Sequence, residues 1–191
     1  MDFCTLEFQF DVKKLQLEVN EILKCDWVAH VNQRAYQGQW DVFPLRCAVA
    51  HQESHPILQA YSIENNSKWV NLPALSNSPY LSKVINSLKC PIQSVRLMRL
   101  KAGASILPHN DAGLGLAHGQ ARLHVPIFSN NSVTFYVANQ LVPMPAGKIT
   151  YINADQVHEV RNQSAEDRIH LVIDCVSNAW LEENIRELAH V

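Results

Sequence analysis

The sequence predicts a mainly β protein: a small double-sheet β-barrel with helices in front of it and behind it. Three observations lead there. Between residues 93 and 175 short β-prone runs follow one another, separated by turn residues, and such close spacing indicates a sandwich or barrel rather than alternating strand–helix units. Helical spacing is confined to segments before and after that region. No internal repeat and no long linker interrupts the 191 residues, so one domain is expected. It divides into a helical and mixed part (1–92), a β core (93–176) and a C-terminal helix (177–191).

Taken in order, residues 11–25 read as a helix, with Leu15, Leu17, Val19, Ile22 and Leu23 among charged positions. Residues 26–60 are mixed, with Arg46 to Ala50 as a strand candidate. Trp27, Tyr36, Trp40 and Phe43 in this stretch are expected to be core residues. Asn65-Asn66-Ser67 and the stretch from Leu72 to Pro79 read as loops. Tyr80 to Leu88 reads as a second helix, ended by Lys89-Cys90-Pro91. The strand candidates are then Ser94–Leu100, Ser105–Leu107, Arg122–Ile127, Val133–Ala138, Lys148–Ile152, His158–Arg161 and Arg168–Asp174. Asn178 is placed to cap a last helix with Trp180, Leu181, Ile185 and Leu188 on one side.

Composition narrows the class. Hydrophobic residues are 47% and charged residues 18%, a globular mixture that excludes a mainly disordered chain. Lys plus Arg is 16 against 18 Asp plus Glu, a net charge of −2, which argues against non-specific nucleic-acid binding. The five cysteines include no C-x-x-C; buried, reduced thiols in a cytoplasmic protein are expected. Met1-Asp2-Phe3-Cys4 lacks the pattern of a signal peptide, and no run approaches 18 apolar residues, so no membrane span is expected.

The chemistry concentrates at Leu107-Pro108-His109-Asn110-Asp111. On an extended strand residues i and i+2 share a side, so His109 and Asp111 can reach one metal ion. His158, at the start of a later strand, is the candidate third ligand. Two histidines and one carboxylate occupy one face of an octahedron and leave the rest open, which favours non-haem Fe(II). A structural zinc site would be closed and richer in cysteine. Ten residues beyond His158, Arg168 opens a run in which period-2 alternation puts Arg168, His170, Val172 and Asp174 on one face. A guanidinium turned into a barrel needs an anion, and a dicarboxylate such as 2-oxoglutarate suits its planar fork. Arg122 and His124 share a face by the same period and are placed to hold the metal-proximal carboxylate or the substrate. Gly113 to Gly119 is a candidate lid.

These residues resemble a known family. His109-x-Asp111, then His158, then Arg168 is similar to the iron and 2-oxoglutarate motif of Fe(II)/2-oxoglutarate-dependent oxygenases. Arg96 to His109, Arg122-Leu123-His124-Val125-Pro126-Ile127 and Asn153 to Asn162 resemble the aspartyl/asparaginyl β-hydroxylase family, which includes small bacterial proline hydroxylases. The resemblance covers roughly residues 93–175. It implies a double-stranded β-helix (jelly-roll, cupin-like) core, with iron at His109, Asp111 and His158. It also implies 2-oxoglutarate at Arg168, helped by Arg122 and His124. The animal aspartyl hydroxylase has a small residue where this chain has Asp111, and so uses two histidines only. The full triad, and the lack of a membrane segment or helical repeats, point to a soluble enzyme acting on a small molecule or short peptide.

The expected function is therefore hydroxylation of an unactivated C–H of an amino acid, free and proline-like or of Asp/Asn type in a peptide. Fe(II), 2-oxoglutarate and O₂ are required, ascorbate is a possible stimulant, and succinate and CO₂ are released. No nucleic-acid or membrane partner is expected. The alternative is a non-catalytic cupin-like sensor of metal or a small carboxylate. Repair of alkylated nucleobases is disfavoured by the lack of a basic cluster. His30, His51, His55, His118, His170 and His190 default to surface or structural roles, Met98 and Met144 to packing, and Asp174 to bonding a turn. Asn32, Arg34 and Arg46 are candidates to anchor charged ends of a substrate, but no substrate residue is assigned.

Overall fold

A computed structural model describes residues 1–61 and 68–187. Its strands are β1 (Phe3–Thr5), β2 (Val28–Ala29), β3 (Tyr36–Gln37), β4 (Trp40–Ala48), β5 (Trp69–Asn71), β6 (Ile92–Leu100), β7 (Ser105–His109), β8 (Gln120–Phe128), β9 (Val133–Val137), β10 (Gln140–Leu141), β11 (Thr150–Ile152), β12 (His158–Asn162) and β13 (Arg168–Val176). The helices are α1 (Val12–Ile22), α2 (Pro56–Ala60), α3 (Pro73–Ser76), α4 (Pro79–Asn86) and α5 (Ala179–Glu187). One sheet runs β1-β11-β8-β13-β6-β4-β2 with β5 on β4, and the other β10-β9-β12-β7-β3, all pairs antiparallel. Two such sheets face to face form the jelly roll expected from the sequence.

β13 shows why the residues fall this way. It lies between β8 and β6, at the centre of the larger sheet. Ile169, Leu171 and Ile173 turn outward into a cluster with Leu15, Val19 and Ile22 of α1, Leu81 and Val84 of α4, and Leu181 and Ile185 of α5. Val172 turns inward to pack with Trp40, Met98, Ile106, Phe135 and Val160 between the sheets. Each fully buried Leu or Ile contributes roughly 2 kcal/mol. The outer face of β13 is thus closed by helices. Its inner face is free to carry polar groups.

The cap expected at Asn178 holds, and several local expectations are corrected. Asp11 caps α1, its carboxylate accepting from the Lys13 and Lys14 N–H groups, and Asn178 accepts from the Leu181 N–H at 3.0 Å. Leu17 is 67% exposed: Leu15, Val19 and Ile22 define the buried stripe, and Leu17 lies off it. The stretch from Leu72 to Pro79 is not loop; it holds α3 and the start of α4, each opened by a proline, where the missing N–H costs nothing. The strand expected at Arg46 begins earlier, at Trp40, and ends at Ala48, before a 3₁₀ turn over Val49–His51. Cys25 is exposed, and the other four cysteines are buried and free. Residues 65–67, Leu188 and His190 lie outside the described residues.

Candidate active site

The site is built where the smaller sheet ends. β7 and β12 pair antiparallel with His109 directly opposite His158, and the two rings lie 4.3 Å apart. Between His158/His109 and Val160/Ile106 the register shifts, leaving an extra residue in β7 around Leu107 and Pro108. Proline has no N–H for the ladder, so a bulge is tolerated there, and bulges re-aim neighbouring side chains. His109 Nδ1 lies 2.8 Å from the Leu107 carbonyl, and His158 Nδ1 lies 3.0 Å from the Gln156 carbonyl. A carbonyl only accepts, so each Nδ1 carries the proton and each Nε2 is left bare as a ligand. Asp111 follows β7, and its N–H donates to the Ala154 carbonyl at 2.8 Å. Ligand atoms of His109, Asp111 and His158 all lie within 4.8 Å of one another. Two bare imidazole nitrogens and a carboxylate oxygen suit a divalent first-row metal and leave coordination positions for other ligands.

Electrostatics favour the metal-binding protonation states of His158 and Asp111. Burial pushes the His158 imidazole down to about 4, so it is neutral at physiological pH. Burial opposes ionisation of Asp111, but Arg122, His158 and His109 outweigh it and hold its carboxyl below the usual range. Arg122 donates one N–H to Asp111 and two to Asp174, from Nε at 2.7 Å and NH2 at 3.0 Å. Arg96 donates to the other side of Asp174 at 2.9 Å and to Ser94 Oγ at 2.9 Å. Asp174 does not bond a turn, as its strand-end position suggested. It is the anion between two arginines, and they hold its carboxyl well below the carboxylate range against the cost of burial.

Arg168 is placed differently. It is 2% exposed and meets no carboxylate among the described residues. Its NH2 lies 2.6 Å from His170 Nδ1, its guanidinium lies over the Phe135 ring at 5.8 Å, and its Nε has no partner. Burial lowers its pKa to about 9, still leaving it charged near neutrality. Arg168, Arg122, His124 and the three candidate ligands all line one cavity of about 700 Å³. His124 Nε2 is buried there without a partner, and burial first, then the charge of Arg168, lowers that imidazole's pKa.

The cavity also takes in Trp40, expected in the core, and His30, expected to be surface or structural. Arg96, Tyr61, His30 and Trp40 line it, with the His30 and Trp40 rings stacked at 3.5 Å. Trp40 Nε1 and Tyr61 Oη are buried without partners. Trp27 and Phe43 pack on the helix side instead. Asn32 lines the cavity; Arg34 and Arg46 do not, and Arg46 donates to Asn71 and the Ile92 carbonyl. The Gly113–Gly119 segment borders the cavity, and the Gly113 N–H is tied to Asp155 at 2.8 Å. Asp174 and His170 were recoverable from the alternation that marked Arg168. Arg96 shares its face of β6 with Ser94 and Met98 by the same rule.

Fold and site together define a class: a double-stranded β-helix carrying a two-histidine, one-carboxylate metal-site geometry beside a buried arginine. The family model for aspartyl/asparaginyl β-hydroxylases matches residues 9–178, and the chain belongs to that family. It is 26% identical over 153 residues to L-proline cis-4-hydroxylase of Rhizobium meliloti (strain 1021), a match covering 79% of this chain and 52% of that protein. The chain thus spans about half the length of this curated relative. Among solved structures, the non-heme alpha ketoglutarate dependent epimerase SnoN from nogalamycin biosynthesis superposes with a TM-score of 0.55 at 14% identity, over 92% of this chain and 76% of its own. HygX from Streptomyces hygroscopicus, solved with nickel and 2-oxoglutarate bound, gives 0.53 at 12% identity over 93% and 83%. At these identities the two structures establish the shared fold.

Proposed function

We propose that the protein is an Fe(II)- and 2-oxoglutarate-dependent dioxygenase that hydroxylates an unactivated C–H of an amino acid. The observation that carries this reading is Arg168: a buried guanidinium unmatched by any carboxylate among the described residues, in the same cavity as the His109, Asp111 and His158 cluster. A buried cation without a counter-charge is costly, and an anionic ligand would offset that cost. Family membership, the proline cis-4-hydroxylase relative and the shared fold support the same reading.

In this reading His109, Asp111 and His158 hold the metal. An Fe(II) held there would supply, with O₂ and 2-oxoglutarate, the oxidising chemistry that releases succinate and CO₂ and leaves one oxygen on the substrate carbon. Arg168 grips the far carboxylate of 2-oxoglutarate. Arg122 and His124 line the same cavity and would help hold the metal-proximal carboxylate. Because Asp174 and Asp111 already match the charge of Arg122, its larger part is to hold Asp111 in place. The apolar wall of Met98, Ile106, Phe135 and Val160 keeps water away from the reacting carbon.

Charge narrows the substrate. Arg96, Arg122 and Arg168 stand against Asp111 and Asp174, and a ferrous ion with a dianionic co-substrate cancels to zero. One positive charge remains, and a substrate carboxylate meets it. Arg96 is its natural partner: it lies opposite Val172 on the neighbouring strand, roughly 13 Å along β13 from Arg168, and its guanidinium reaches Asp174. A free amino acid of proline type, or an acidic or amide side chain in a short peptide, fits this arrangement. No helix among the described residues is long and apolar enough to cross a membrane; we place the enzyme in the cytoplasm, where its thiols stay reduced.

The test is purified protein with Fe(II), ascorbate and 2-oxoglutarate against a panel of free amino acids and short peptides. Succinate formation with a product heavier by one oxygen is the expected result. No turnover of any kind would leave a metal- and carboxylate-binding module in its place.

A further inference from the structure

The two arginines that face the cavity from β8 and β13 are held by different kinds of group. Arg122 is fixed by carboxylates, Asp174 and Asp111. Arg168 is fixed by an imidazole: its NH2 lies 2.6 Å from His170 Nδ1. A guanidinium only donates, so His170 Nδ1 is the acceptor and carries no proton. The single proton of the neutral ring sits on Nε2, which is buried without a partner. His170 is 1% exposed, on the inner face of β13 two residues from Arg168, with Met98 and Pro126 opposite it on the neighbouring strands. Burial first, then the charges of Arg168 and His124, keeps it neutral.

The choice of an imidazole has a physical consequence. A neutral acceptor fixes one edge of the guanidinium without cancelling its charge. An aspartate there would form the pair that Arg122 forms with Asp174, and an arriving carboxylate would have to displace it. We propose that His170 is a positioning residue: its bare Nδ1 holds one edge of Arg168, so that the other N–H groups and the whole charge stay available to a carboxylate ligand at that end of the cavity. The proposal rests on the reading of the cavity as a 2-oxoglutarate site.

Calorimetric titration of 2-oxoglutarate into the Mn(II)-loaded full chain, which reports binding without turnover, tests it. His170→Asn keeps a neutral acceptor near the position of Nδ1 and is expected to stay within about threefold of the unaltered protein. His170→Leu removes the acceptor and weakens binding about tenfold or more. His170→Asp keeps an acceptor but adds the competing charge, and is expected to be weaker still, on the order of a hundredfold. Mn(II) affinity stays unchanged in all three. Equal binding by the Asn and Asp variants, or no loss in the Leu variant, overturns the proposal. Should a variant fail to fold, ¹⁵N-histidine spectra of the unaltered protein decide: an unprotonated Nδ1 at His170 is expected, and a protonated one overturns it. If the unaltered protein binds no 2-oxoglutarate, the functional reading falls and the co-substrate role of His170 falls with it, while the same spectra still report whether His170 accepts from Arg168.

Discussion

Asp174 and Arg122 sit opposite one another on paired strands, and both carboxylate oxygens accept from the same guanidinium, at 2.7 and 3.0 Å. Arg122 then reaches on to Asp111, so a residue on the larger sheet sets the posture of a candidate metal ligand that follows the smaller one. Arg96 closes the other side of Asp174.

Removing Asp174 tests that chain. Asp174→Ala leaves buried Arg96 without its carboxylate and Arg122 with Asp111 alone, and is expected to destabilise the fold by about 3–5 kcal/mol. Metal affinity is expected to fall about 10- to 100-fold through the loosened Asp111. Urea unfolding and metal titration measure the two effects separately.

Loss of a ligand is more severe. His109→Ala or Asp111→Ala removes one of three donors, and affinity is expected to drop by more than the roughly 100-fold of an outer partner, with turnover abolished. Full activity in either variant would disprove the ligand assignment.

Arg168→Ala separates co-substrate from substrate. It is expected to raise the 2-oxoglutarate requirement by about 3–5 kcal/mol while changing that for the amino acid far less. Arg96→Ala is expected to do the reverse. Steady-state kinetics with each component varied in turn give the comparison, and an unchanged 2-oxoglutarate requirement in the Arg168 variant would refute its role.

Acid stability follows from the buried imidazoles. His158 is held at about 4 and His30 at about 3, in both cases chiefly by burial, against about 6.5 in an unfolded chain. Between those values the unfolded state binds protons that the native state does not. Stability therefore stands in full above about pH 6.5 and is lost as pH falls through the folded values. The metal-free protein is expected to show melting midpoints that decline from pH 7 to pH 4, and bound metal to slow that decline. A flat profile would contradict the buried, neutral state.

The strand residues were the most legible part. Alternation along Arg168 to Asp174 correctly divided an outer apolar face from an inner polar one, because a strand has a fixed period of two. The same rule drew attention to His109 and Asp111, which the structure brings together with His158. Prolines misled it: Pro73 and Pro79 read as breakers, yet both open helices, since the first turn of a helix has no use for the N–H that proline lacks.

By itself the sequence determined that Arg168, His170 and Asp174 share one face of their strand, and Arg122 and His124 one face of theirs, since that depends on backbone geometry alone. It could not say which charge meets which. Asp174 meets Arg122 and Arg96 across 52 and 78 residues of chain, and that pairing exists only because β13 is laid between β8 and β6. Tertiary structure alone decided that Arg122 would be matched by carboxylates and Arg168 left with a neutral imidazole, because an ionic partner is chosen by distance in space, which strand order sets.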